Sequence, residues 1–240
     1  MADDAFILGH RNSEWTGLGP TLEEDIAFSS MAQDKVGHAL ALYKILHEEF
    51  GEKDPDKIAY ERAEKDFKCC HLVEIYSQDY AFALARHFFF DHADYLRYDA
   101  LSSSSLQSIA QLSRKIKGEL KYHIMHADVW LKKLGAGNEE SRARMQSALN
   151  EAFPEGLGIF EPGNFEEELK TKNIFPGEAT LKATWLSIIT PLVSSAGFSL
   201  PDISDPNAGF GGRKGFHSDH LSPLLKEMRE VYILEPNAEW

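Results

Sequence analysis

Apolar residues recur at every third or fourth position along most of the 240-residue chain, which is the spacing of one face of an α-helix. No alternation of apolar and polar residues typical of a strand is sustained. The pattern therefore predicts an all-α fold. The predicted helices run from about residue 3 to 15, from Thr21 to Gly51, over a shorter piece opened by Asp54-Pro55, from Asp79 to about Leu101, from a serine-rich cap (SSSSLQ) to Leu134-Gly135, from Asn138 to near Pro154, over Glu178–Ala196, and from about Ser218 to Ile233.

Helix-terminal signals support these boundaries. Thr21 and Glu24 have the spacing of a capping box, and Gly51 suits the left-handed conformation in which helices often end. Prolines and glycines predict an irregular connection over 154–176 with one acidic turn (FEEELK), and a loop over 197–216. With 43% hydrophobic residues the chain can form a sizeable core. We expect one domain over 1–240, with a core bundle over about 3–134 and additional helices over about 138–235.

Two polar residues interrupt the apolar stripe of the second predicted helix, which consists of Glu24, Phe28, Met31, Lys35, His38, Leu42 and Ile45. Lys35 and His38 are three residues apart, so their side chains point the same way, toward the interior. In di-iron carboxylate proteins built on four-helix bundles, this spacing is Glu-x-x-His and both residues bind metal. Lys35 therefore stands where a metal-binding carboxylate is expected. A second stripe, from Leu22 to Tyr43, is also largely apolar and predicts that this helix is covered on two sides.

The other long helices offer further inward polar residues. His123 interrupts an apolar stripe, and Leu120 stands three residues before it, where a second Glu-x-x-His would have its carboxylate. The helix that begins near Asp79 offers Asp91, together with His87 and Asp94, and the first helix offers Asp4. In a bundle, Asp4, Lys35, His38, Asp91 and His123 would converge at mid-height, as metal ligands do in ferritin-like folds.

This set is poorly suited to two irons, which need several carboxylates to balance their charge and bridge them. We interpret it as a vestigial di-iron region without metal, in which Lys35 pairs with Asp91, Asp94 or Asp4. One alternative is that Lys35 extends to solvent and that His38 and His123 are ordinary core histidines. An intact metal centre is the other.

Charge and cysteine usage narrow the range of partners. The formal net charge is −13 and no long basic block is present, which argues against nucleic acid or an anionic membrane as a partner. No run of about 18 apolar residues occurs, and the N-terminal stretch begins with two acids, so we expect a soluble cytoplasmic protein. The adjacent Cys69 and Cys70 are poorly placed for an ordinary disulfide and fit a reducing compartment.

The most conspicuous loop is GFGGRKGFHSDH, residues 209–220. It matches neither a Walker motif nor a dinucleotide fingerprint. It is interpreted as a structural loop that Ser218 or Asp219 caps onto the last helix, as a contact for a partner or an anionic ligand through Arg213 and Lys214, or as a metal pair of His217 and His220. No nucleophile motif is present, so no catalytic residue is predicted.

The chain resembles the family of structural, non-catalytic C subunits of the ring 1,2-phenylacetyl-CoA epoxidase complex. The similarity runs nearly end to end, and its segments fall in the expected order. They are LGHRNSEWTG, LEEDIAFSSMAQDKVGHA, KYHIMHADVWLKKLGAG and GGRKGFHSDHLSPLLKEM, with a tryptophan as the last residue.

This resemblance implies a ferritin-like fold and a bacterial aerobic phenylacetate pathway. In that pathway a di-iron catalytic subunit of the same fold epoxidises the aromatic ring of a CoA thioester, and a separate reductase supplies electrons. The chain would pair with the catalytic subunit without being catalytic by itself and without binding a cofactor, while the partner holds the iron and most of the CoA thioester. The competing functions are a self-sufficient di-iron carboxylate oxidase with atypical ligands and a metal-storage or purely structural helical scaffold.

Overall fold

The computed structural model describes residues 1–235, and all of their regular structure is helical. The predicted all-α, ferritin-like fold is therefore confirmed. Trp240, with which the family resemblance ends, lies outside the described residues. The α-helices are α1 (Ala2–Ser13), α2 (Leu22–Phe50), α3 (Pro55–Tyr60), α4 (His71–Glu74), α5 (Tyr80–Leu101), α6 (Gln107–Gly135), α7 (Glu139–Leu157), α8 (Glu166–Thr171), α9 (Glu178–Ser195) and α10 (Leu221–Leu234), with 3₁₀ turns at Glu64–Asp66, Gly158–Phe160 and Gly212–Lys214.

The chain divides into two compact units. The first comprises Met1–Cys69, Val73–Tyr76 and the chain from Gly211 onward, and the second comprises Cys70–Leu72 and Ser77–Phe210. The single domain expected over 1–240 stays a prediction. No helix within residues 1–235 is long and apolar enough to cross a membrane.

Close packing of α1 on α2 forms the centre of the first unit. Gly9 permits this approach, because a Cβ at that position would lie 2.7 Å from Cγ2 of Val36. Ile7 and Leu8 of α1, like Phe28 of α2, have no exposed surface. Burial of these apolar side chains is the main stabilising term that the helix pair supplies.

In the second unit α5 packs against α6, α7 and α9. Trp185 of α9 is fully buried, and its indole N–H donates to the backbone oxygen of Phe89 at 3.0 Å. The rings of Phe153 and Trp185 stack with an interplanar angle of 8°. The chain also approaches itself closely at Gly158, where a Cβ would lie 2.0 Å from the backbone oxygen of Gly209.

The structure confirms part of the predicted capping. Asp79 and Asn138 accept hydrogen bonds from the first turns of α5 and α7, and Gly51 ends α2 with a φ of 73°. The prediction of a capping box at α2 is wrong, because the Thr21 side chain makes no cap hydrogen bond. The prediction that a serine caps α6 is also wrong, because the N-cap residue of α6 is Leu106, which makes no side-chain cap hydrogen bond.

Two helix ends differ from the prediction. Helix α7 continues past Pro154 to Leu157, since Phe153 and Leu157 are both buried and this packing outweighs the hydrogen bond that proline removes. Helix α10 begins at Leu221, and its N-cap residue is His220, so neither Ser218 nor Asp219 caps it. Ser218 donates from its N–H and its hydroxyl to Glu74 instead.

Candidate functional site

Lys35 and His38 lie on the buried face of α2. Lys35 has 0% and His38 has 4% of its surface exposed. The prediction that Lys35 is buried is confirmed, and the alternative in which it extends to solvent is wrong. The predicted partner of its ammonium, Asp91, Asp94 or Asp4, stays a prediction. Within the same predicted stripe Phe28, Met31 and Leu42 are buried as expected, and only Ile45 is half-exposed.

The second predicted stripe of α2 is largely exposed to solvent. Leu22, Ile26, Val36 and Leu40 are 69%, 61%, 39% and 42% exposed, and only Tyr43 at its end is buried. The prediction that α2 is covered on two sides within this chain is therefore wrong. Exposed apolar residues at helical spacing form a face that the other described residues, up to 235, do not cover.

Asp91 lies between two histidines in the core of the second unit. Its Oδ2 contacts Nδ1 of His87 one turn earlier on α5, and its Oδ1 lies 3.5 Å from Nδ1 of His123 on α6. All three side chains are at most 1% exposed. The structure thus brings together Asp91 and His123, as predicted, and adds His87.

Burial of His87 lowers its pKa from 6.5 to about 4, even though the adjacent Asp91 carboxylate acts in the opposite direction. His87 is therefore neutral at pH 7 and donates one N–H to Asp91. His126, which the sequence analysis missed, places its ring 5.3 Å from that of His87. His126 lies one turn before Trp130 on a mostly exposed part of α6, so no apolar pattern in the sequence indicated that its ring contacts the buried His87.

Leu120 is fully buried on α6, one turn before His123. Around Asp91 the structure places His87 and His123, and Leu120 stands at the position predicted for a second carboxylate, whereas two irons require several bridging carboxylates. In the first unit a cation, Lys35, accompanies His38. This donor set does not fit a di-iron centre, and no reaction step is assigned to it.

Asp4 is 1% exposed and binds an arginine. Nη1 of Arg213 donates to the two Asp4 carboxylate oxygens at 2.8 and 2.6 Å and to the backbone oxygen of Lys68 at 2.6 Å. The guanidinium balances the charge of Asp4, so an anionic ligand at Arg213 would compete with this carboxylate. The predicted contact of Arg213 and Lys214 with an anion or a partner stays a prediction, as do the roles proposed for the vestigial region.

A second acid on α1, Asp3, organises a network that the sequence analysis missed. It accepts hydrogen bonds from Tyr43, Arg62 and the backbone N–H of Lys68 at 2.6, 2.6 and 2.7 Å. Burial alone would raise the pKa of Asp3. The hydrogen bonds and the charge of Arg62, the hydroxyl of Tyr43 and the backbone N–H of Lys68 lower that pKa overall. These residues are far apart in sequence, and no local pattern connects them.

The part of the glycine-rich loop that belongs to the first unit is fastened to it by polar contacts. His217 and Ser218 bind the buried carboxylate of Glu74, and the backbone oxygen of His220 accepts from Arg11 at 2.9 Å. Gly215, with a φ of 85°, approaches so closely that a Cβ would lie 2.3 Å from the backbone oxygen of Lys65. The structural interpretation of this loop accounts for these contacts.

Together these observations define an all-helical, ferritin-like protein in which the positions of two expected metal-binding carboxylates are occupied by a buried lysine and a buried leucine. The chain belongs to the phenylacetic acid catabolic protein family, whose model matches residues 1–240. It is similar to the C subunit of the 1,2-phenylacetyl-CoA epoxidase of Escherichia coli (strain K12), with 30% identity over 240 residues that cover 100% of this chain and 96% of that protein. The family resemblance predicted from the four sequence segments is confirmed.

Proposed function

We propose that this chain is the non-catalytic structural subunit of a bacterial phenylacetyl-CoA ring-epoxidising oxygenase, and that it pairs with and stabilises a homologous di-iron catalytic subunit. The observation that carries this proposal is the complete burial of Lys35 three residues before His38. A buried ammonium repels iron from the position where a carboxylate would bind it. The similarity over the whole chain to the C subunit of an epoxidase supports the same role.

The catalytic partner would hold the iron and most of the CoA thioester, and a separate reductase would supply electrons. This assignment places the complex in the cytoplasm, where phenylacetate is degraded aerobically. The present chain would bind no iron. Its contribution is to keep the catalytic subunit folded and correctly oriented.

The uncovered face of α2 supports assembly with another helical protein. Leu22, Ile26 and Leu40 are exposed along about five turns of this helix. Beside them a groove of about 540 Å³ is lined by Gly9, His10, Ser13, Thr16, Ser29, Ala32, Gln33 and Val36. An apolar face flanked by a groove is the type of surface on which a helix of another subunit packs. Obligate interfaces of this kind typically bury more than about 2,000 Å² in total.

Reconstitution tests the proposal directly. The catalytic subunit and its reductase should turn over phenylacetyl-CoA slowly or not at all alone, and addition of this chain should restore turnover and yield a complex that co-purifies. Lys214→Glu tests whether this cation contacts the partner or the CoA thioester, and it should weaken assembly or turnover. Lys214 is changed because it is exposed, whereas Arg213 binds the buried Asp4. Full turnover by the catalytic subunit without this chain would contradict the proposal.

A further inference from the structure

Three side chains of the first unit that can bind a metal lie close together. Sγ of Cys69, a carboxylate oxygen of Glu74 and a ring nitrogen of His217 all lie within 4.8 Å of one another. The side chains of His217 and Glu74 are 1% and 0% exposed, and Cys69 is 0% exposed. Thiolate, imidazole and carboxylate are the three ligand types that zinc accepts in proteins.

Both ring nitrogens of His217 face oxygen atoms. Its Nδ1 lies 2.7 Å from Oε1 of Glu74, and its Nε2 lies 3.1 Å from the backbone oxygen of Phe67. A neutral imidazole carries one N–H and can donate to only one of these two oxygens. If a metal occupies Nδ1, Nε2–H donates to Phe67, which is the outer hydrogen bond that a metal-bound histidine normally makes.

The carboxylate of Glu74 is already oriented for one-point ligation. Its Oε2 accepts from the N–H and the hydroxyl of Ser218, each at 2.8 Å. Its other oxygen, Oε1, faces both Nδ1 of His217 and the thiol of Cys69, whose Sγ lies 3.4 Å away. The two halves of the carboxylate therefore have separate tasks, since Ser218 holds Oε2 and Oε1 points at the other two ligand atoms.

Two of the three distances between ligand atoms require only a small adjustment, and the third, between Cys69 and His217, lies within 4.8 Å. With bond lengths of about 2.3 Å to sulfur and about 2.0 Å to oxygen, tetrahedral zinc places the two atoms roughly 3.5 Å apart, which is close to the 3.4 Å that separates Cys69 Sγ and Glu74 Oε1. The His217 to Glu74 separation of 2.7 Å would have to open by about 0.6 Å to reach the tetrahedral value. Gly215, two residues before His217 and at a φ of 85°, is the kind of residue that can absorb such a shift.

We propose that Cys69, Glu74 and His217 form a binding site for a borderline-soft divalent cation, zinc in the first instance, which fastens the segment 211–218 to Cys69 and Glu74 of the same unit. The thiolate and the carboxylate balance the charge of the cation, and a water molecule completes the tetrahedron. On binding, the thiol proton of Cys69 and the proton between His217 and Glu74 pass to solvent. The site is independent of the role proposed for the chain in epoxidation, and it departs from the expectation that the chain binds no cofactor.

Zinc binding by the full-length chain tests the site, and the adjacent cysteine provides a matched control. Chelator-treated protein is dialysed against ZnCl₂, and bound zinc is counted for the wild type, Cys69→Ser and Cys70→Ser. We expect one zinc per chain in the wild type and in Cys70→Ser. Cys69→Ser retains the hydrogen bond to Glu74 but should lose affinity by more than the roughly 10–100-fold that follows removal of an outer-shell contact.

Cobalt keeps the test decisive if Cys69→Ser fails to fold. Wild-type protein with CoCl₂ should show the near-ultraviolet thiolate-to-cobalt charge-transfer band together with tetrahedral visible bands. Zinc should also raise the midpoint of thermal unfolding, whereas the same concentration of MgCl₂ should not. Absence of zinc and of the cobalt band from wild-type protein would overturn the proposal and leave Glu74 and His217 as a metal-free ion pair. Equal zinc binding by Cys69→Ser and the wild type would overturn it as well.

Discussion

At the scale of single residues, the proposed loss of the di-iron centre depends most on the buried Lys35. A buried ammonium persists only where other groups compensate its desolvation, so the residues around it depend on its charge. The sequence could predict its burial because Lys35 lies in register with Phe28, Met31 and Leu42, which are buried. It could not identify the partner of the ammonium, because helical periodicity gives the direction of a side chain and not the element that faces it.

Lys35→Ala should destabilise the chain strongly. Removing a buried charge strands the groups that compensated it, which typically costs about 3–5 kcal/mol. Lys44→Ala on the same helix is the matched control, since Lys44 is exposed and should change the free energy of unfolding by less than about 0.5 kcal/mol. Urea unfolding of both variants measures the difference, and equal losses would mean that the ammonium of Lys35 has no special role.

His87 should make the protein sensitive to mild acid. Burial lowers its folded-state pKa to about 4, against 6.5 in the unfolded chain, so between these values the unfolded state binds more protons. The contribution of neutral His87 to the free energy of unfolding is therefore complete above pH 6.5. It is lost as the pH falls toward 4, with a loss of about 2 kcal/mol between pH 7 and pH 5. His10, whose pKa burial also lowers to about 4, acts with the same sign.

The slope of unfolding free energy against pH isolates this effect. His87→Gln removes the titrating group, so the variant should be less stable at pH 7 yet lose less stability than the wild type between pH 7 and pH 5. An unchanged slope would show that protonation of His87 does not govern the acid response.

At the scale of helices, local signals predicted where most elements lie, and tertiary packing decided the exceptions. Asp54, Asp79 and Asn138 cap α3, α5 and α7 through their own side chains, which is readable from sequence. Pro154 should have ended α7, but the buried side chains of Phe153 and Leu157 hold the last turn. No local pattern indicates such long-range packing.

Helix α2 also shows that a local sequence pattern does not determine which residues are buried within the chain. Its two apolar stripes look alike in sequence, yet one is buried while Leu22, Ile26 and Leu40 are exposed. The periodicity of the second stripe is consistent with burial, but in an assembly instead of within the chain. This is the helix face at which we expect the catalytic subunit.

Charge on this face should block assembly without unfolding the chain. Leu22→Glu combined with Ile26→Glu changes residues that are 69% and 61% exposed, so thermal stability should be nearly unchanged, while co-purification with the catalytic subunit should fall at least about 10-fold. Val129→Glu on α6 is the control, because Val129 is also an exposed apolar residue on a long helix, at 43% exposure, but does not lie on the α2 face. Loss of the complex with Val129→Glu and its retention with the α2 variant would place the interface elsewhere.

At the scale of the whole molecule, the fold class and the family could be predicted, but much of the polar interior could not. The ferritin-like helical fold follows from apolar periodicity and from the four family segments, and both are confirmed. The pairing of Asp4 with Arg213, by contrast, joins residues 209 positions apart. The Cys69, Glu74 and His217 cluster likewise joins distant segments whose ligand spacing matches no short motif.

Iron content tests most directly the proposal that this ferritin-like chain has no di-iron centre. The full-length chain is purified alone from cells grown with ample iron, and iron per chain is measured together with the near-ultraviolet and visible spectrum. Because the buried Lys35 and Leu120 stand where the Glu-x-x-His pattern would have its carboxylates, we expect the protein to hold far less than one iron per chain and to show no oxo-bridged absorption band. Near-stoichiometric iron accompanied by that band would contradict the proposed absence of a di-iron centre and favour a self-sufficient di-iron oxidase.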